Sequence, residues 1–514
     1  MEPSLGFVAE LFAHALSYWW LILIATTIGI IIGAMPGFGS ANTIIMLLPF
    51  TLAVDVDVAM IFMVSLFCAS QMGGGITSIL LNIPGNGGSA ATCLDGYPMA
   101  KKGQGQQALV LSFVASTVGG MVTAGMSIFL LPYMARLAYY LHSVEMVVIL
   151  LFGITLIASI ASENMLKGLI AGFLGLLIGA IGADHIYSTP RGTFGALELY
   201  DGVPLIAVLI GVFAISEALI MMESRSVLSE AGMQIAKKAG WPETWEGVKM
   251  AFARWWLMIW TGIVGLIIGI VPGAGASIAA FVAYQQARLY SKTPELYGTG
   301  IPEGVIAPES ANNGCASGDL IPLLVIGVPG GTTAAVMLIV MTYHGVQLGP
   351  RMFIQTPELG YGVFVTMLVA YGVMLFTTLP LTRYISKLIL IPTAVLAPII
   401  IAFTMVGSFA PRGYMFDLWL TLLFGVIGYV CRRTGYNVVA MLIGVILGPL
   451  LEANVMRALR ISGNDPLVFF SSTVGNILWA LLFISLFIPS FVAWRKKRGL
   501  RPQPVAGAVA GGGA

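Results

Sequence analysis

Asn82-Ile83-Pro84-Gly85-Asn86-Gly87-Gly88 places a proline and three glycines inside a stretch apolar enough to lie in a bilayer. Of the 514 residues, 58% are hydrophobic and 9% charged, whereas soluble domains carry about a quarter charged residues. The chain therefore reads as an integral membrane protein. Apolar stretches of about 20 residues, the length of a spanning helix, recur along it and predict roughly 11 to 14 spans or half-spans. They begin with Tyr18 to Met35 and end with Phe469 to Val492. Alternating strands are absent from the sequence, which argues for an all-α polytopic protein and against a barrel.

The quoted break is one of a set. Gly29-Ile-Ile-Ile-Gly33-Ala-Met-Pro36-Gly37-Phe-Gly39 returns as Gly265-Leu-Ile-Ile-Gly269-Ile-Val-Pro272-Gly273-Ala-Gly275, shifted by 236 (29 to 265). Asn82-Ile-Pro84-Gly85 returns as Gly327-Val-Pro329-Gly330, shifted by 245 (82 to 327). Gly175 and Gly179 are echoed more faintly by Gly444 and Gly448. Two related halves are the economical explanation, with a 1–222 repeat, a charged 223–254 linker, a 255–498 repeat and a disordered 499–514 tail. An inverted arrangement of the halves is the expectation for such a pattern.

Proline removes a backbone donor and glycine permits helix-ending turns. Broken backbone at membrane depth is tolerated only where it packs in protein or lines a cavity. One Pro-Gly alone commonly marks a kink, and Gly29/Gly33 fits small-xxx-small helix packing. Four breaks in register point instead to a transporter's central site, where unpaired amides and half-helix N-termini suit an anionic substrate. Pro36, Gly37, Pro272 and Gly273 are read as structural breaks, and Pro84, Gly85, Pro329 and Gly330 as the walls of the site.

Polar residues crowd the same places. Thr77, Ser78, Asn82, Ser89, Asn312, Asn313, Thr332 and Thr333 are the candidate substrate ligands, because hydroxyls and amides hold carboxylates by hydrogen bonds. Asn42, Gln71 and Ser277 belong to the same polar crowd. Asp95, Glu309 and Asp319 are the candidates for coupling to sodium or a proton, since an unpaired charge at membrane depth is costly. Lys101 and Lys102 read as interface anchors.

Other classes fare worse. A net charge of +2 gives no reason to expect nucleic acid. Cys68, Cys93, Cys315 and Cys431 are too scattered for a disulfide framework or a metal site, and the four histidines for a ligand cluster. No HExxH, GxSxG or GxxxxGK[ST] occurs, so hydrolase and ATP-driven machinery are missing. Tyr200-Asp201 and Ala316-Ser-Gly-Asp319 resemble aspartate motifs of intramembrane proteases only in part. No Lys or Arg precedes Lys101, so the first apolar segment reads as a retained span, not a secretory signal. Basic residues between Arg225 and Arg254 and at Arg495-Lys-Lys-Arg498 place both segments, and the C-terminus, on the cytoplasmic side.

Gly73-Gly-Gly-Ile-Thr-Ser-Ile-Leu-Leu-Asn-Ile-Pro-Gly85, Thr92-Cys-Leu-Asp-Gly-Tyr-Pro-Met-Ala-Lys-Lys-Gly103, Val271-Pro-Gly-Ala-Gly-Ala-Ser277 and Glu303-Gly-Val-Ile-Ala-Pro-Glu-Ser-Ala-Asn-Asn313 resemble the large membrane subunit of tripartite tricarboxylate transporters. The resemblance covers residues 15–495. It implies a multi-pass protein of the bacterial inner membrane, a secondary transporter that takes a carboxylate from a periplasmic solute-binding protein and works with a small membrane subunit. A sodium or proton gradient would drive it, with no other cofactor and no metal. The chain departs from the family pattern at Asn86-Gly87-Gly88 and at Gly105-Gln106-Gln107, where an Arg often seen is missing. A substrate-gated anion channel or a membrane scaffold is the alternative.

Overall fold

The computed structural model describes residues 3–35, 38–160, 165–183, 188–223, 240–388 and 393–484. Residues 224–239 of the 223–254 linker and the whole 499–514 tail expected from the sequence, with Pro36, Gly37 and the basic Arg495 to Arg498, lie outside the described residues. The described elements are helical apart from a two-residue hairpin, β1 Gly182–Ala183 against β2 Pro190–Arg191. Among the described residues, six helices are long and apolar enough to cross a membrane, or eight if each of two bent helix pairs counts as one span. The expected all-α polytopic architecture is what the chain forms.

The first bent pair is α1 (Leu5–Ser17) with α2 (Trp19–Gly33), turning through 68°. Then follow α3 (Gly39–Thr51), α4 (Val56–Leu81), the short α5 (Cys93–Met99), the long α6 (Gly105–Ala138), α7 (Ser143–Ile160), α8 (Met165–Gly179) and α9 (Leu205–Glu223). The second bent pair, α10 (Trp241–Phe252) with α11 (Trp255–Ile270), turns through 69°. After it come α12 (Gly275–Leu289), α13 (Pro302–Ile326), α14 (Thr332–Tyr343), α15 (Met352–Gln355), α16 (Pro357–Leu388), α17 (Thr393–Phe409), α18 (Met415–Arg433), α19 (Val438–Ile461) and α20 (Thr473–Ile484).

Small residues set the closest helix contacts. A Cβ on Gly33 would lie 2.5 Å from the Ser70 carbonyl oxygen, and one on Gly269 would lie 2.5 Å from that of Cys315. Gly29 meets the Leu66 carbonyl as Gly265 meets that of Ala311. Gly73 meets Ile30 and Gly33 as Gly318 meets Leu266 and Gly269. The pairs α2–α4 and α11–α13 thus touch through equivalent residues at the two sequence offsets. Without a hydrophobic drive between helices in lipid, such backbone-close packing is what binds them. Gly175 and Gly444, matched in the sequence, pack directly on each other where α8 crosses α19.

Both α4 and α13 are buried nearly end to end, and α13 lies among α4, α6, α11 and α12. They stop alike. Asn82 closes α4 at φ 59° and Gly327 closes α13 at φ 74°, left-handed conformations that end a helix. Ile83 N–H donates to the Thr77 carbonyl and Val328 N–H to that of Pro322, both at 3.3 Å. Gly85 N–H reaches the Gly74 carbonyl and Gly330 N–H that of Asp319, both at 3.2 Å. Each chain then runs through Pro84 or Pro329 outside any helix.

Candidate functional site

A cavity of about 450 Å³ opens between the two breaks. Pro84 to Gly88 form one side of it, and Gly273 to Ser277 with Gly331 to Thr333 form another. The remaining wall comes from Phe38 to Asn42, Gln71, Phe213, Asp319, Arg432 and the start of α19 at Val438 and Val439.

The first turns of α3, α12 and α14 all line this space, and none carries a side-chain cap: their N-cap residues are Phe38, Ala274 and Gly331. A helix leaves its first N–H groups without intrahelical partners, and caps such as Ser, Asp or Asn normally take them up. Three uncapped N-termini facing one cavity therefore concentrate backbone donors and partial positive charge there. The contrast is α19, whose N-terminus also lines the cavity but is capped by Asn437, accepting from Val439 N–H at 2.8 Å and Ala440 N–H at 3.2 Å.

This departs from the sequence reading in one respect. The amides at the breaks themselves are not bare, because those of Ile83, Gly85, Val328 and Gly330 are returned to carbonyls of the preceding helices. Buried backbone groups are almost always satisfied. The first turns of α3, α12 and α14, beyond the breaks, are the ones without side-chain caps, and of their amides that of Gly39 donates to the Gly85 carbonyl at 3.2 Å.

The floor is held by Gln71. Its side-chain oxygen accepts from Ser40 Oγ at 2.7 Å and its amide donates to Asn312 Oδ1 at 3.1 Å. Its carbonyl takes Asn86 Nδ2 at 2.9 Å and Asn312 Nδ2 at 3.3 Å. One residue of α4 so ties together α3, α13 and the loop after the first break. Gly87 and Gly88 are required by space: a Cβ on Gly88 would fall on the Asn312 amide, and one on Gly87 on the Ser277 hydroxyl. The Asn86-Gly-Gly run lets this loop lie against α12 and α13.

Charge enters at two points. Arg432 donates from Nη1 to Glu217 Oε2 at 2.6 Å, stacks over Phe213 at 5.7 Å, and keeps its buried Nε without a hydrogen-bond partner. Asp319 is buried, accepts from the Cys315 thiol at 3.4 Å, and faces Gly331, whose Cβ would lie 2.7 Å from Oδ2.

The structure brings Pro84, Gly85, Gly273, Asp319, Thr332 and Thr333 to the cavity wall. Asn312 stands one layer behind it, through Gln71. Thr77 and Ser78 are buried in α4, with hydroxyls returned to the Gly74 carbonyl. Ser89 closes a capping turn with Asn86, and Asn313 meets the Tyr371 hydroxyl at 3.4 Å. Asn82, Pro272, Pro329 and Gly330 shape the breaks and are absent from the lining. Glu309 and Asp95 lie elsewhere, and Lys101 and Lys102 are exposed, Lys101 resting on Tyr97 at 4.7 Å. Arg432 escaped the sequence reading because an arginine closing an apolar span is ordinarily an interface anchor.

Asp95 is fully enclosed, and three backbone amides converge on it: Gly298 at 3.0 Å, Gly300 at 2.6 Å and Ile301 at 3.1 Å, with the Tyr284 hydroxyl at 2.8 Å. That is the geometry of a carboxylate organising a loop.

The family described as "Tripartite tricarboxylate transporter TctA family" matches residues 20–443. The "Uncharacterized 52.8 kDa protein in TAR-I ttuC' 3'region" of Agrobacterium vitis is 32% identical over 496 residues, covering 96% of this chain and 97% of that protein. The "Uncharacterized protein in TAR-II ttuC' 3'region" of the same organism is 32% identical over 234 residues, covering 46% of this chain and 97% of that protein. No solved structure matches the chain. With the family matched over most of the length and a relative similar from end to end, the chain belongs to the TctA family of tripartite tricarboxylate transporters, as a multi-pass transport subunit and not an enzyme.

Proposed function

We propose that this chain carries a tricarboxylate or related carboxylate across the bacterial inner membrane by alternating access, coupled to a sodium or proton gradient. The substrate arrives from a periplasmic solute-binding protein, and a small membrane subunit completes the transporter. The observation that supports this reading best is the convergence of three uncapped helix N-termini on one cavity that is also lined by Arg432. Backbone donors and a guanidinium together suit carboxylates. Asp319 in the same wall repels an anion unless it is neutralised, by a proton or by a cation held with the substrate. The family's transport role, shared over most of the chain, agrees with this chemistry.

The test is uptake of a tricarboxylate probe, citrate, into energised vesicles containing the chain with its companion subunits. Accumulation above the external concentration that collapses on adding an ionophore is expected. Equilibration without accumulation would favour a substrate-gated anion channel.

A further inference from the structure

Glu309 on α13 is the second wholly enclosed carboxyl beside Asp95, and its surroundings are opposite in kind. Among the described residues, no backbone amide and no cation serves it. Its Oε1 accepts from Thr92 Oγ1 at 2.6 Å and its Oε2 from Ser116 Oγ at 3.1 Å. None of the ion pairs among the described residues includes it. From α4 it is faced by Gly75, where a Cβ would lie 2.8 Å from Oε1 and 2.7 Å from Ser112 Oγ. From α6 come the hydroxyls of Ser112 and Ser116, and from the α5 side Thr92 with Cys93, a thiol near enough to feel its charge. Ser112 Oγ is fully buried against the same carboxyl and makes no hydrogen bond of normal geometry to any other described group.

Hydroxyls serve either protonation state, because each both donates and accepts. A completely buried anion held by hydroxyls alone is costly at membrane depth, whereas the protonated acid is not. The Ser112 hydroxyl, beside the same carboxyl, is placed to complete its hydrogen bond when the proton leaves. Thr92 connects this pocket to the substrate cavity. Gly87 and Gly88 line that cavity, and a short run of turns carries the chain onward, Ala90 N–H to the Gly87 carbonyl at 3.4 Å and Thr92 N–H to that of Ser89 at 3.2 Å.

We propose that Glu309 is the proton carrier of this transporter, distinct from the cavity, and that the loop from Asn86 to Thr92 transmits substrate occupancy to it. In the step proposed, one Glu309 carboxylate oxygen takes a proton from one side of the membrane and releases the same proton to the other, and no other bond is made or broken. The inference rests on the carrier function proposed above and fails separately from it.

The experiment uses vesicles containing the complete transporter, with citrate as probe, external pH constant so that the ionisation of the probe offered does not change, and accumulation corrected for the ionisation of internal citrate. Changing the internal pH by one unit is expected to alter wild-type accumulation about tenfold for each coupled proton. Glu309→Gln, a permanent mimic of the protonated acid, is expected to lose that response while still exchanging internal for external citrate. Infrared difference spectra of the purified protein are expected to show a buried protonated carboxyl that Glu309→Gln lacks. A variant that still responds to the pH gradient, accumulation set by a sodium gradient alone, or a wild-type spectrum without that band would each overturn the proposal. If Glu309→Gln does not fold, Ser112→Ala and Thr92→Val are expected to shift the pH midpoint of uptake, and an unshifted midpoint in both counts against it. Absence of citrate exchange by the wild type would instead overturn the carrier reading, leaving the infrared spectra to decide on Glu309.

Discussion

Arg432 reaches the cavity with one nitrogen held by Glu217 and another unpaired. Hydrogen bonds to charged groups contribute about 1.5–3 kcal/mol, so Arg432→Gln is expected to raise the half-saturating carboxylate concentration about 10- to 100-fold with folded protein retained. Uptake kinetics at equal membrane expression check this, and an unchanged half-saturation would remove Arg432 from the site. Asp95 offers the opposite case. Its amide and hydroxyl donors bind a carboxylate that the loop around Gly298 to Ile301 is wrapped on. Asp95→Asn is expected to destabilise the protein by about 1–3 kcal/mol, the cost of leaving buried donors poorly matched. Transport per folded molecule should keep its ion dependence. Thermal unfolding in detergent and ion-dependent uptake measure the two halves of that statement. In the sequence Asp95, Glu309 and Asp319 looked alike; their partners separate them into a loop anchor, a hydroxyl-held acid and a cavity wall.

The breaks act at the scale of elements, and there the glycines decide. A Cβ on Gly85 would lie 2.6 Å from Gly74 Cα, and one on Gly330 would lie 2.6 Å from Asp319 Cα. These are backbone atoms that cannot turn aside. Gly85→Ala and Gly330→Ala are each expected to cost about 1–3 kcal/mol through overpacking. Gly362 in α16 has nothing within 4 Å of its would-be Cβ, and Gly362→Ala is expected to be neutral or to stabilise by about 0.5–1 kcal/mol. Denaturation midpoints of the three variants measure the contrast; equal shifts would contradict the packing account. The breaks were legible in the sequence because Pro-Gly carries both causes locally, a missing donor and a residue free to turn. Proline alone was not a guide, since Pro132 sits inside α6 and Pro308 and Pro322 inside α13.

At the scale of the whole molecule, the cavity draws its walls from elements far apart in the chain, α3 and α4 on one side and α12, α14 and α18 on the other. A ligand there joins them. Carboxylate at about 100 times its dissociation constant is expected to stabilise the wild type by about 2.7 kcal/mol, as mass action requires of anything bound only by the folded state. Gln71→Leu should lose most of that gain by releasing Ser40 and Asn312 together. Ligand-dependent melting curves test it, and equal stabilisation of both proteins would place the ligand elsewhere.

Membrane residence, helical architecture and the places where helices must stop were set by local chemistry, and so could be read from residues in order: apolar length, missing charge, and proline beside glycine. The family resemblance likewise lay in contiguous motifs. Which groups face the cavity was decided only by folding. Arg432 becomes part of the cavity because α18 crosses α9 beside Phe213 and Glu217, the break amides are satisfied by carbonyls above them, and the uncapped helix starts lie beyond. Hydrogen-bond satisfaction and burial depend on neighbours brought from hundreds of residues away, and no local pattern specifies them.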